Sequence, residues 1–387
     1  MSRLHRSQVL RALRRYFFLI VVSLLLCIFL LPRYGKSSSL IARDSRLKLT
    51  MQFEDSNHGE ANIPHEEIVA SPMTVHLVIA ATSSEDISWT SRLKIPGLRV
   101  IHYIADDSSA VHHPPANKGH EAMIYHSYFL DFYDQLPDIA ILTHAQDISW
   151  HMETLLSHSL SYALAHLDLL AVKERGYANL RVSWENACPA YINTTIEGTS
   201  GLELESQSTR EAFLGNFGDA SGLSDEVPEI LAQPCCSQFA VTRGVIRSVT
   251  RESYARYINW LLHSSMDDSI LGRTWEHMFQ WLFTKKAVDC PVEWKTYCKM
   301  YHICFESQAK YEKYMELDRA RADLIDRYDV STLKALWTWG LGNGKLDLTR
   351  EINAISRQIN ELKEQALERG REATARTFST ADLYLGV

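Results

Sequence analysis

Apolar residues in this chain come either as short continuous runs or at helical spacing, and the two patterns alternate. Residues 74–81 (TVHLVIAA), 98–105 (LRVIHYIA) and 139–142 (IAIL) are apolar runs bounded by polar turn residues, which predicts three buried strands. Between the second and third, Ala122, Tyr125, Phe129 and Phe132 recur at helical spacing, with Asn117 placed to cap the helix start. Strands and helices alternating over short connections imply an α/β sheet, at least partly parallel. A helical region follows over residues 155–174, and then a stretch from 193 to 226, rich in Ser, Gly and Glu, that reads as a surface insertion. Residues 235–246 (CCSQFAVTRGVI) return to strand character, and ESYARYINWLLHSS and LGRTWEHMFQWLF are amphipathic helices with aromatic inner faces. Residues 306–387 are helical in pattern throughout. In them Leu348, Ile352, Ile355, Ile359, Leu362 and Ala366 form an a/d seam of about three heptads, expected either to pair with a second copy across residues 346–368 or to pack on its own domain.

The N-terminus departs from this pattern. Arg3, Arg6, Arg11, Arg14 and Arg15 occupy a basic tail over residues 1–15, and residues 16–31 (YFFLIVVSLLLCIFLL) are apolar apart from Ser23. At ~1.5 Å per residue the run spans slightly less than a ~30 Å hydrocarbon core. LLPRYGK follows without a small-residue cleavage site, so the run over residues 16–32 is expected to be an uncleaved transmembrane signal anchor rather than a signal peptide. Flanking arginines stay cytoplasmic, which predicts a single-pass type II membrane protein. A short span suits the thinner membranes of the endoplasmic reticulum or Golgi. Residues 33–72 read as a polar stem and residues 73–305 as a lumenal α/β domain.

Net charge is −7 and the pI about 6.1, which gives no footprint for nucleic acid. A lumenal body agrees with two other features. Asn193-Thr194-Thr195 is an N-glycosylation acceptor. Besides Cys27 in the apolar run there are six cysteines, Cys188, Cys235, Cys236, Cys290, Cys298 and Cys304, enough for three disulfides with fifteen pairings open. Adjacent Cys235 and Cys236 are expected to bond to other partners.

Ligands of open α/β sheets bind beyond the carboxyl ends of the strands. Carboxylates at the second strand end, Asp106 and Asp107, could hold Mg²⁺ or Mn²⁺ bridging a nucleotide diphosphate. Lys118 and the free N–H groups after Asn117 could cradle phosphate at a helix start. Glu121 could act as a base or hold a sugar hydroxyl. His144, Asp147 and His151, in the loop after the third strand, are candidates for base or sugar contact, and Trp150 could stack on a sugar face. Arg273 and Glu276, one helical turn apart, read as an intrahelical ion pair.

Taken in order, LVIAATSSEDISW, YIADD, NKGHEAMIYHSYFLDFYDQLPDIAILTHAQDISWH, CCSQFAVTR, YINWLL and GRTWEHMFQWLF followed by VDCP resemble the fungal family known as domain of unknown function 3431, over roughly residues 75–304. The chain departs from the family pattern at His120, where an Arg is usual. It departs also at Gln146 and Asp147, where a His and a basic residue are usual, and at Gln280, where a His is usual. If those groups are catalytic, this member is altered or inactive. The strand pattern, the acidic strand end and the type II topology are also similar to Golgi-type glycosyltransferases. That likeness implies a nucleotide-sugar-type mixed sheet with flanking helices, preceded by one transmembrane helix and followed by a helical extension. It implies a glycosyltransferase-like enzyme using a nucleotide sugar and Mn²⁺ or Mg²⁺. The alternatives are a non-catalytic, membrane-anchored accessory or binding protein, or a tailoring protein of fungal secondary metabolism.

Overall fold

The computed structural model describes residues 73–218, 226–338 and 344–384. The expected basic tail, signal anchor and stem lie outside the described residues. Among the described residues no helix is long and apolar enough to cross a membrane.

Three parallel strands form the centre: β1 (Val75–Ala81), β2 (Leu98–Ile104) and β3 (Ile139–His144). The chain between β2 and β3 contains α1 (His120–Asp131). After β3 come α2 (Leu160–His166) and α3 (Leu169–Arg175), two short helices where the pattern predicts one. The break has a local cause, because the Asp168 side chain accepts from the amides of Leu170 and Ala171 and caps a new helix. Then follow β4 (Tyr177–Asn179), the two-residue β5 (Ile192–Asn193) and β6 (Ile230–Leu231), with α4 (Gly201–Phe217) between the last two. β7 (Phe239–Thr242) leads into α5 (Arg243–Ser248), α6 (Arg251–His263), α7 (Asp268–Glu276), α8 (Phe279–Thr284) and α9 (Glu293–Tyr301). Two long helices, α10 (Gln308–Thr338) and α11 (Gly344–Arg371), complete the helical C-terminal region.

The main sheet has the order β2-β1-β3-β7-β4, with β7 antiparallel to both β3 and β4. It is buried on both faces, which is why its strands read as continuous apolar runs rather than alternating ones. Val78, Ala140 and Leu142 point into one core with Tyr125, Phe129, Trp275 and Phe279. Val75, Leu77, Ile79, Ile139 and Ile141 point into a second core with Tyr297, Tyr301 and Tyr314.

Packing overturns one expectation and bears on another. The polar stretch from 193 to 226 is, in its described residues, not a surface insertion: α4 packs on α7, burying Ala212 and Phe213. Two of its buried polar side chains donate locally, Thr209 to Glu205 O and Asn216 to Ala212 O. The heptad seam lies on the chain's own body. α11 runs along α10, and Ile359 and Ala366 are buried in the second core, so residues 346–368 have that part of the seam already covered.

Candidate functional site

Strand direction fixes where the site lies. β7 runs opposite to β3, with Leu142 paired to Phe239, so the segment entering β7 (Cys235–Gln238) sits at the edge where β3 ends. β4 runs parallel to β3 with Asn179 also paired to Phe239, so Arg181 emerges at that same edge. Against this edge α4 and α7 bring Glu205, Arg273, Glu276 and His277, and α10 brings Tyr314, Met315 and Asp318. Together they enclose a cavity of about 720 Å³. A smaller cavity of about 430 Å³ adjoins the ends of β1 and β2 and is lined by Thr82, Ser84, Asn117, His120 and Glu121 among others. His144 lines both.

The wall of the larger cavity is a hydrogen-bonded acid–base network. Buried Glu205 accepts from Arg273 Nη1 at 2.9 Å and from His277 Nε2 at 2.6 Å. Burial pushes its carboxyl up, but the His277 hydrogen bond and the charges of His277 and Arg273 outweigh that and hold it below the ordinary range. The expected Arg273–Glu276 ion pair therefore does not form, because Arg273 reaches across to α4. Glu276 is left among carboxylates. Burial, then the charges of Glu121 and Glu205, push its carboxyl up to about 8, so it holds its proton at neutral pH. His144, at the end of β3, bonds the Cys236 carbonyl through Nε2 at 2.9 Å. A carbonyl only accepts, so Nε2 carries the hydrogen, and in the neutral ring Nδ1 holds the lone pair. The His151 ring lies 4.5 Å from that of His144. Burial and the charges of His144 and Arg181 lower it to about 4, so it is neutral.

The remaining sequence candidates take other positions. Asp147 faces away from the cavity and fastens its loop to the start of α2, accepting from Ser159 Oγ, Ser161 N and Ser161 Oγ. Glu121 lies in the first turn of α1 and acts on Glu276 through its charge. Asn117 does not cap α1. Gly119 does, with φ of +71°, and its amide donates to Asp268 Oδ1 at 2.6 Å. That carboxylate takes the anion position at the helix start where a phosphate was expected. Lys118 turns to the end of α6, donating from Nζ to the Leu262 and Ser264 carbonyls, a helix C-terminal role in place of a phosphate contact. Asp106 accepts from Ser83 N and Oγ, and Asp107 from Ser109 N and Oγ. Those bonds hold both carboxyls below the ordinary range. Asp106 thus ties its turn to the segment after β1 and Asp107 closes its own turn, and among the described residues no group of three or more His, Cys, Asp or Glu side chains gathers as a metal cage. The two aspartates by themselves do not fit the Mn²⁺ or Mg²⁺ expected of them. Asn193 Oδ1 accepts from Thr195 N and Oγ1 within the acceptor triplet.

The cysteines form three disulfides: Cys188–Cys290, Cys298–Cys304 and, against expectation, Cys235–Cys236. The adjacent pair closes on itself where the chain reverses into β7 with positive φ at Cys236 and Ser237. Both sulfurs' residues line the larger cavity.

Sequence reasoning missed Glu205, His277 and Arg181 as site residues. Glu205 sits in the segment read as an insertion. Arg181 is the first charged residue after β4, a three-residue strand too short to stand out, and that position at a strand end was the available signal.

Fold and cavity together define a mixed α/β protein with an acid–base site at the ligand edge of its sheet. The chain belongs to the family described as Protein of unknown function (DUF3431), whose model matches residues 77–299. No curated protein and no solved structure matches it.

Proposed function

We propose that the chain is a glycosyltransferase-like enzyme that transfers a sugar from a nucleotide sugar to a hydroxyl acceptor in the 720 Å³ cavity. The observation that carries this reading is the pairing of a protonated buried acid, Glu276, with a fixed-tautomer base, His144, in one cavity at the carboxyl end of parallel strands. The acceptor O–H gives its proton to His144 Nδ1 as its oxygen bonds the anomeric carbon. The bond from that carbon to the diphosphate breaks, and its electron pair leaves with the phosphate oxygen. Glu276 donates a hydrogen bond to the charge that develops. Trp150, 69% exposed at the rim, offers an aromatic face to a sugar ring. No step passes through a metal ion. Three parallel strands followed by an antiparallel one give a ligand edge of the kind nucleotide sugars use, which favours this donor class.

A secretory-membrane location, with a fungal source and a glycan on Asn193, belongs to the same reading. The location rests on the basic-then-apolar N-terminal pattern and on six cysteines paired in three disulfides, the glycan on the Asn193-Thr194-Thr195 triplet, and the source on the family resemblance. The test is a panel of nucleotide sugars given to the purified full-length chain, with and without Mn²⁺, reading melting temperature and nucleoside diphosphate released. A donor that binds must raise the melting temperature. Glu276→Gln should then cost about 10²-fold or more in turnover. No shift and no release with any donor would sink the proposal. Binding without release would favour a membrane-anchored binding protein instead.

A further inference from the structure

Two arginines with buried side chains are very differently partnered in this protein. Arg175 has its side chain 5% exposed and meets the Asp289 carboxylate at 3.0 Å and the Tyr384 hydroxyl at 2.9 Å. Arg181 is 6% exposed, and among the described residues no carboxylate comes within 4.0 Å of it. Its Nη1 donates to the Trp150 carbonyl at 2.9 Å, and its buried Nε has no acceptor. The Trp150 ring, 5.9 Å from its Cζ, is at the outer limit of a cation–π contact. Glu153 lines the same wall but forms no ion pair with Arg181: its Oε1 accepts from the amides of Val182 and Ser183 and from Tyr297 OH, and its buried Oε2 meets no donor. A guanidinium cannot shed its charge, and burying it without a counter-charge is expensive. A fold keeps such a group where a ligand supplies the missing charge. Arg181 lines the 720 Å³ cavity, beside His151 and within the same chamber as His144 and Glu276.

We propose that Arg181 is the anion anchor of this cavity and that it takes the diphosphate of the ligand, the place Lys118 was expected to fill. The guanidinium fork matches the spacing of phosphate oxygens and can hold two at once. His151, neutral and with a buried Nδ1 lacking a partner, stands beside it as a second polar contact. This inference rests on the proposed function for the identity of the leaving group, but its core, an anion site at Arg181, does not need turnover to be seen.

The test is equilibrium binding of inorganic pyrophosphate to the purified full-length chain by titration calorimetry, with inorganic phosphate and a nucleoside diphosphate as further arms. Wild type should bind pyrophosphate more tightly than phosphate, and the nucleoside diphosphate at least as tightly as pyrophosphate. Arg181→Gln should weaken binding by about tenfold or more, and Arg181→Lys, which keeps the charge and loses the fork, by a smaller factor. If Arg181→Gln does not fold, Arg181→Lys carries the comparison, with near-ultraviolet circular dichroism confirming its fold. No binding by wild type to any of the three, or wild-type affinity in a folded Arg181 variant, overturns the proposal. Pyrophosphate binding lost in Arg181→Gln, with no sugar donor turned over, leaves this site standing and removes the proposed function. Sugar transfer with undiminished pyrophosphate affinity in the Arg181 variant does the reverse.

Discussion

Replacing Glu276 by Gln should stabilise the protein at alkaline pH and do little at acid pH. The side chain lies in the cavity wall at the end of α7 and holds its proton up to about 8, against an ordinary 4.5. A carboxyl with a raised folded value keeps the stability of its neutral form below about 4.5 and loses it as pH rises to 8 and beyond, because the unfolded chain ionises first. At ~1.4 kcal/mol per pH unit of that gap, less an allowance for the open cavity side, the ionised form costs the fold on the order of 3 kcal/mol. Gln keeps the shape and never ionises. Urea unfolding of wild type and Glu276→Gln at pH 5, 7 and 9 measures the difference directly. The two should be alike at pH 5, and the variant more stable by about 3 kcal/mol at pH 9, where one kcal/mol moves the melting temperature by a few degrees. A stability difference that stays the same at all three pH values would refute the reasoning, since it would mean Glu276 ionises as readily in the fold as outside it. Gained stability together with lost turnover would also mark the carboxyl as kept for function.

Two further perturbations test other parts of the structure. Asp289→Ala leaves the Arg175 guanidinium without its carboxylate, with side chains 5% and 1% exposed in the native pair, and removes the acceptor of the Tyr384 hydroxyl in the C-terminal turn. Thermal melts should show a loss of about 3–5 kcal/mol, whereas an unchanged melting temperature would mean the C-terminal turn does not hold the body. His126 is fully buried, its two ring nitrogens have no partner, and burial lowers it to about 3, so it is neutral among Trp275, Tyr257 and Phe279. His126→Phe should therefore be neutral or gain about 1 kcal/mol in chemical denaturation; a loss of several kcal/mol would show that the imidazole makes a polar contact the packing conceals.

What the sequence determined by itself was the class of fold and the strand ends at which the two cavities lie. The apolar runs at 74–81, 98–105 and 139–142 read as buried strands, and alternating with helices they predict a sheet at least partly parallel, with His144 at the third of its strand ends. Local chemistry of this kind is legible because period and punctuation act over a few residues. The tertiary structure decided which polar groups are free to act. Lys118, Asp106, Asp107 and Asp147 looked like ligands in the sequence, but Asp107 is held by Ser109 in its own turn, and the others are absorbed by neighbours that only folding brings to them: the end of α6, Ser83 and the start of α2. Glu205, Glu276 and Arg181 looked ordinary, and are set apart by long-range encounters, from an Arg that crosses from α7 to α4 to a guanidinium that meets no carboxylate. A charge's neighbours depend on which elements pack together, and burial in that packing sets how much the charge costs. Neither is written in the residues adjacent to it.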